Sequence, residues 1–352
     1  MFGTVVAEAQ QNSIVPADVG RQWGLAEIGA LFSSVGSGSK KTIMDKGKLK
    51  GHAALWVANI VWGLNAPICK SVLVSESNPG GVDPFALSAY RMAGACLLFW
   101  TASLLLPRER VSRRDMAALF CASVFGIQFN QLLFLWGLSL TSPIDSSIIA
   151  TIVPVLTMVL ATVFLREPIT WLKSGGVALG CFGALLLVAL SRHGGGQASS
   201  VMGDALCIVS AVSYAVYLTA FRDTIVKYSP VTTMKWMFLF AAVSAAAIYY
   251  RPLAGVDYGA LEPATWGGIG YVVVCSTFVS YLMVPVGQRF LRPTVVSMYN
   301  YVQPVVAVVF TVLAGLDTFG PAKGVAAACV FAGVWLVTKS RSRAQMEAEG
   351  RR

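Results

Sequence analysis

From His52 onward the chain alternates apolar stretches with short polar breaks. Crossing a bilayer takes about 20 mostly apolar residues in a helix. Ten stretches meet that length: 52–73, 84–106, 115–138, 143–165, 171–190, 202–222, 230–250, 264–287, 293–316 and 321–338. Sustained alternation at period two is absent, so the pattern is helical and not that of a membrane barrel. Hydrophobic residues make up 56% of the chain and charged residues 12%, about half the charge of soluble domains. Too few polar side chains remain to coat a soluble core of that size. The expected fold is an all-α polytopic membrane protein with ten transmembrane helices. A water-soluble enzyme, a disordered chain and a secreted disulfide scaffold are excluded.

The basic residues set the orientation. Of the 27 Lys and Arg, 20 fall on segments and helix ends that share a face with the N-terminus. Three (Arg192, Arg251, Lys323) fall on the other face, and four (Arg21, Lys70, Arg91, Lys235) lie in the tail or within helices. This split predicts both termini in the cytoplasm of a multi-pass protein of the cell (cytoplasmic) membrane, with an even number of spans. It also accounts for the net charge of +10 as an insertion signal, with the terminal clusters touching anionic membrane lipid. No nucleic-acid partner is needed. Residues 1–50 read as a disordered tail without a signal peptide; a natural start at Met44 is the alternative. Residues 341–352 form a basic cytoplasmic tail. The seven cysteines are scattered through apolar runs with no CxxC, which reads as reduced packing cysteine rather than a metal or redox site. No cofactor is expected.

Residues 137–188 align with 287–338 at a constant offset of 150, with ten identities that include Pro143/Pro293, Pro154/Pro304, Lys173/Lys323 and Gly183/Gly333. Glu167 and Asp317 match in charge. Gly51 and Pro84 have looser counterparts in Gly203 and Pro230. Five helices are duplicated as five. An odd repeat sets the halves in opposite orientations, the inverted plan of secondary transporters, whose substrate site lies near the midplane between the halves.

Several segments resemble a known family: Trp62-Gly63-Leu64-Asn65, Asn130-Gln131 through Gly137, Thr141-Ser142-Pro143, and the Pro154 helix ending at Glu167-Pro168. With the repeat, they are similar to the EamA-like branch of the drug/metabolite transporter superfamily, over about residues 51–340. The resemblance implies ten helices, two EamA-like repeats (51–190 and 202–340) and movement of small metabolites, often outward. It does not indicate the substrate.

Polar side chains inside spans tend to face a cavity or a partner helix. Helical spacing groups Asn59, Gly63, Ala66 and Lys70 on the first helix, with Trp62 and Asn65 beside them. The third helix offers Gln128, Asn130 and Gln131, the sixth Ser210, Ser213, Tyr214 and Tyr217, the eighth Thr277, Ser280 and Tyr281. The ninth offers Ser297, Tyr299, Asn300, Tyr301 and Gln303. From these the expected substrate site takes Trp62, Asn65, Arg91, Asn130, Gln131, Tyr214, Tyr217, Tyr281, Tyr299, Asn300 and Gln303. Interhelical hydrogen bonding is the plain alternative for any one of them. Arg91 lies at depth in the second helix without a carboxylate in its own helix, and either binds an anionic group or snorkels. Lys70 has the anion-binding reading too, beside snorkelling or a bond to backbone carbonyls, and Lys235 reads as snorkelling. Pro154 and Pro304 break helices at equivalent positions and suit hinges or static bends. Gly176 and Gly180 give a GxxxG face for helix packing or a homodimer contact. Glu167 and Asp317 suit interface anchors or a gate lock. The sequence thus predicts a secondary transporter that exports a small polar metabolite, amino-acid-like or otherwise carboxylate-bearing. An integral membrane lipid-modifying enzyme is the alternative.

Overall fold

The computed structural model describes residues 47–74, 78, 80–141, 143–190, 200–256, 258, 259, 261–313 and 320–340, without the side chains of 143, 144 and 311. The tail 1–46, Ser142, Arg192, Asp317 and the segment 341–352 lie outside the described residues. The chain divides into the units Met1–Leu49 and Lys50–Arg352. Of the first, only 47–49 are described, as helix; the spans form the second.

Among the described residues nine helices are long and apolar enough to cross a membrane. They are α2 (Pro84–Leu104), α3 (Arg113–Leu140), α4 (Pro143–Ala150 and Val153–Leu165), α5 (Trp171–Leu190) and α6 (Val201–Ala220). The second half adds α7 (Pro230–Ile248), α8 (Pro263–Phe290), α9 (Pro293–Met298, Tyr299–Tyr301 and Val302–Leu313) and α10 (Pro321–Lys339). The remaining span, α1 (50–63 and Asn65–Val72), is interrupted at Leu64. Large apolar side chains such as Val163, Phe182, Val243, Leu313 and Trp335 stand exposed along the outside, as lipid contact requires. The protein is an all-α, multi-pass membrane protein of two five-helix repeats.

Local chemistry starts these helices where the sequence punctuates them. Proline opens α2, α7, α8, α9 and α10, where its missing N–H costs nothing. Asp83 caps α2, accepting from the N–H groups of Phe85 at 2.8 Å and Ala86 at 3.3 Å. Ser229 caps α7 through Thr232 N–H at 3.2 Å. Both caps satisfy amides that the first helical turn leaves unpaired.

Two interruptions recur in the repeats. The helix widens to π geometry at Val124–Phe129 in α3 and at Val272–Val279 in α8. It tightens or breaks at Thr151–Ile152 in α4 and at Tyr299–Tyr301 in α9, just ahead of Pro154 and Pro304. A proline removes its own amide and crowds the turn before it. Such deviations free carbonyls for side-chain partners: Ser276 O accepts from Trp62 Nε1 at 2.9 Å, and Gly126 O from the Tyr281 hydroxyl at 3.1 Å.

Equivalent helices pack on each other, α5 on α10 most extensively, then α2 on α7. The α5–α10 crossing depends on glycine. A Cβ on Gly183 would lie 2.7 Å from Ala326 O, and one on Gly333 would lie 2.6 Å from Gly176 O. The GxxxG face of α5 is therefore covered within the chain, Gly176 by α10 and Gly180 by Tyr301 and Met298 of α9, and serves helix packing.

The face at which the chain enters, called here the N-terminal face, is tied by charge between the repeats. Lys227 and Tyr228 both donate to Asp115, and Arg289 donates to Tyr228 O. The bond to Asp115 raises the Lys227 ammonium above its ordinary value. Partial burial pushes the Glu109 carboxyl up, but the Ser229 N–H at 2.9 Å and hydroxyls of Thr232 and Ser229 outweigh it, holding the carboxyl below its ordinary value.

Candidate functional site

A cavity of ≈ 330 Å³ lies between the two halves, lined by α1, α2, α3, α4, α6, α8 and α9 with Val188 of α5. Its lining on α4 runs from Ser146 to Val153, on α6 from Cys207 to Tyr214, and on α9 from Asn300 to Val308. The cavity therefore occupies the half of the bundle away from the N-terminal face. Trp62, Tyr214 and Tyr281 form its floor. The Trp62 ring meets those of Tyr214 and Tyr281 edge-on, at centroid distances of 6.0 and 5.8 Å. Beneath them Tyr217 stacks on Tyr214 at 5.8 Å, in the space that Gly126 leaves by lacking a side chain.

Arg91 holds the one formal charge on the lining. It is 3% exposed. Its Nε donates to Thr277 Oγ1 at 2.9 Å, and Thr277 in turn donates to Val272 O at 2.7 Å. Arg91 makes no ion pair among the described residues, so its two terminal nitrogens are left to the cavity. Gln131 stands near by on α3, 2% exposed, with neither the oxygen nor the nitrogen of its amide hydrogen-bonded. An unpaired buried polar group costs about 1–3 kcal/mol. A donor fork on the cavity lining, beside a buried amide, is the complement of a polar ligand group.

Other polar lining groups are held by hydrogen bonds to neighbouring helices. Asn130 donates to Ser210 Oγ at 3.2 Å and accepts from the Tyr281 hydroxyl at 3.1 Å. Asn65 accepts from Ser276 at 2.6 Å. Gln303 donates to Asn59 Oδ1 at 2.9 Å, tying α9 to α1. Asn300 lines the cavity from within the 3₁₀ turn. Pro67, Phe134, Ile149, Val153, Val188 and Val308 make an apolar wall.

The structure brings together nine of the eleven residues singled out above: Trp62, Asn65, Arg91, Asn130, Gln131, Tyr214, Tyr281, Asn300 and Gln303. Tyr217 and Tyr299 are placed elsewhere. Tyr217 lies under the floor, and Tyr299 packs toward the N-terminal face, its hydroxyl 2.6 Å from His52 Nδ1. Pro304 lines the cavity and Pro154 does not. Sequence reasoning missed Ser146, Cys207 and the apolar wall, because apolar residues lining a cavity read like any other lipid-span residue. Helical spacing from Ser210 could have found Cys207, one turn away.

The remaining cations find other partners. Lys70 donates to the carbonyls of Leu138, Thr141 and Ser139, at 2.9, 3.2 and 3.3 Å; these are the unpaired carbonyls at the end of α3, where the helix dipole favours a cation. Lys235 lies 5.2 Å from the Trp100 ring centroid, a cation–π contact. Lys173, one of the basic residues counted on the side of the N-terminus, is fully buried in a 2.7 Å ion pair with Glu167, which also accepts from Thr294 at 3.1 Å. All seven cysteines are free thiols.

The comparisons with known proteins agree with this architecture. The EamA-like transporter family matches the chain twice, over residues 49–189 and 201–339. An uncharacterized transporter of Archaeoglobus fulgidus is 26% identical over 204 residues, 57% of this chain and 69% of that protein. An uncharacterized transporter of Bacillus subtilis is 24% identical over 242 residues, 67% of this chain and 78% of that protein. A probable terminal-alkyne amino-acid exporter of Streptantibioticus cattleyicolor is 27% identical over 222 residues, 58% of this chain and 73% of that protein. A solved crystal structure shares the fold with a TM-score of 0.64 at 17% identity, covering 84% of this chain and 97% of that one. With both repeats matched, the chain belongs to the EamA-like transporter family, and it is a membrane transporter rather than an enzyme.

Proposed function

We propose that the cavity is the substrate site of a secondary transporter that exports a small, carboxylate-bearing metabolite, amino-acid-like in size, by alternating access. In this reading the protein lies in the cytoplasmic membrane with both termini inside, which the 20-to-three split of basic residues supports. Pro154 and Pro304 act as hinges, on the strength of the matched helix breaks beside them.

One observation carries the substrate class: Arg91 is buried on a cavity that has no Asp or Glu among its lining residues. A buried charge with no counter-ion costs several kcal/mol. A carboxylate on the cavity side offsets that cost, and the guanidinium fork receives it by two parallel bonds. Gln131 stands beside it on the lining. The apolar wall receives a hydrocarbon body, and ≈ 330 Å³ is at the small end of the roughly 300–1,000 Å³ typical of ligand sites. The relative named a probable amino-acid exporter supports the same chemistry and the outward direction.

Proteoliposomes loaded with radiolabelled monocarboxylates, amino acids and amines test this. The expected result is flux of carboxylate-bearing members and none of amines that lack a carboxylate. Flux confined to amines, or turnover of a lipid donor without net flux, contradicts it.

A further inference from the structure

Two cations at depth are served by the chain itself. Lys173 has the Glu167 carboxylate at 2.7 Å, and Lys70 has three backbone carbonyls at the end of α3. Arg91 is built differently. Its one hydrogen-bond partner among the described residues is Thr277, and that bond uses only Nε. The hydroxyl hydrogen of Thr277 goes to Val272 O, so Nε and Thr277 are both satisfied without the terminal nitrogens. Three side-chain oxygens on the lining are already taken. Asn65 Oδ1 accepts from Ser276 at 2.6 Å and from Cys69 Sγ at 3.4 Å. Asn130 Oδ1 accepts from the Tyr281 hydroxyl, and Ser210 Oγ accepts from Asn130 while donating to Asn130 O at 2.8 Å.

The acids stand at helix ends. Asp83 caps the same helix eight residues from Arg91, about 12 Å away at 1.5 Å per residue. Asp145 and Asp204 lie in the first turns of α4 and α6, outside the cavity lining. Arg91 is 3% exposed, and at such a site attraction between opposite charges is stronger than in water. Water solvates a charge but does not neutralise it. A substrate carboxylate neutralises Arg91 while it is bound, yet the cation stays behind when the substrate leaves. A side-chain carboxylate could take over, but it would be fixed there and would compete with every substrate. A mobile anion can come and go. One fixed positive charge matches a monovalent anion; a divalent one would bring a second, unpaired charge into the protein.

We infer that Arg91 binds a monovalent inorganic anion, chloride in the cell, whenever the cavity holds no carboxylate, and that substrate and chloride compete for it. The terminal nitrogens of the guanidinium donate to the ion, as they do to a carboxylate. Chloride is then the ion that keeps the unloaded transporter neutral at this position, and it sets the apparent affinity for substrate. The competition half of this inference rests on the reading of the cavity as the substrate site; the chloride site itself does not.

The test starts with the full chain in lipid nanodiscs, in a chloride-free sulfate buffer, titrated with radiolabelled chloride by equilibrium dialysis. The expected result is saturable binding of one chloride per chain, lost in Arg91→Gln. No saturable binding to the wild type, or unchanged binding in Arg91→Gln, overturns the inference. The second measurement uses wild-type proteoliposomes and the radiolabelled monocarboxylates and amino acids. Chloride at about nine times its dissociation constant, added on the side from which the carboxylate enters, raises the apparent KM about tenfold at constant kcat. Sulfate at the same ionic strength leaves KM unchanged. Should Arg91→Gln not accumulate as folded protein, this comparison decides: a KM that chloride does not move, or that sulfate moves equally, overturns the inference. Flux is scored separately. Carboxylate flux with a KM indifferent to chloride removes the chloride site and leaves the substrate site standing. Saturable chloride binding that needs Arg91, without carboxylate flux, retains the chloride site and removes the transport reading.

Discussion

Arg91→Ala eliminates detectable carboxylate flux while leaving the protein folded and in the membrane. Truncating one side of a buried charge pair costs about 2–5 kcal/mol, so 2–4 kcal/mol lost in substrate binding corresponds to roughly 30- to 700-fold. Folding is spared for two reasons. A cation at depth costs about 2.5–3.5 kcal/mol to insert, and alanine removes that cost. Thr277, which accepts from Arg91, keeps its own bond to Val272 O at 2.7 Å, so no new orphan donor appears. Arg91→Lys retains charge but loses the planar fork and falls between wild type and alanine. Initial rates of carboxylate uptake into proteoliposomes, normalised to reconstituted protein, measure all three. Unchanged flux in Arg91→Ala removes Arg91 from the site.

Glu167→Gln has its large effect on stability. The Lys173 side chain is 0% exposed and its ammonium sits 2.7 Å from Glu167. Neutralising the partner strands a buried charge, which costs about 3–5 kcal/mol. That is a large share of the roughly 5–15 kcal/mol by which folded proteins are stable. The pair joins the end of α4 to the start of α5, and Thr294 brings in the start of α9. Its loss therefore loosens α4 and α9 together, near the N-terminal face. The double variant Glu167→Gln/Lys173→Met, which removes both charges of the pair, recovers most of the stability. Equilibrium unfolding in mixed micelles gives the comparison. Equal stability of Glu167→Gln and wild type would show that the pair carries no weight.

The spans were legible in the sequence because each is long, apolar and bounded by polar breaks. Proline-opened starts such as Pro84 and Pro230 were fixed to the residue. The repeat was legible through the prolines, the lysine and the glycines, and nine of the eleven proposed site residues do share one cavity. Arg91 and Gln131 stood out because a charge or an amide in hydrocarbon needs a reason. What the sequence hid was depth and pairing. Tyr299 and Asn300 are adjacent in the chain, yet the 3₁₀ turn sends one to His52 and the other to the cavity. Tyr217 shares a helical face with Tyr214 but sits one turn too deep. Nothing in the sequence marks Lys173 as buried; its partner Glu167 lies six residues back, just past the left-handed backbone at Arg166 (φ 52°). The π segments left no mark in composition, since widening a helix by one residue per turn alters no residue type.

The decisive measurement concerns Ala150, which lines the cavity and exchanges with Asn300 across the repeats. If one central site is reached from each side of the membrane in turn, a cysteine at Ala150→Cys reacts with an impermeant maleimide added to either face. A transported carboxylate then slows both reactions. Reaction from a single face, or labelling that no transported carboxylate slows, would contradict a shared substrate site on the axis between the halves.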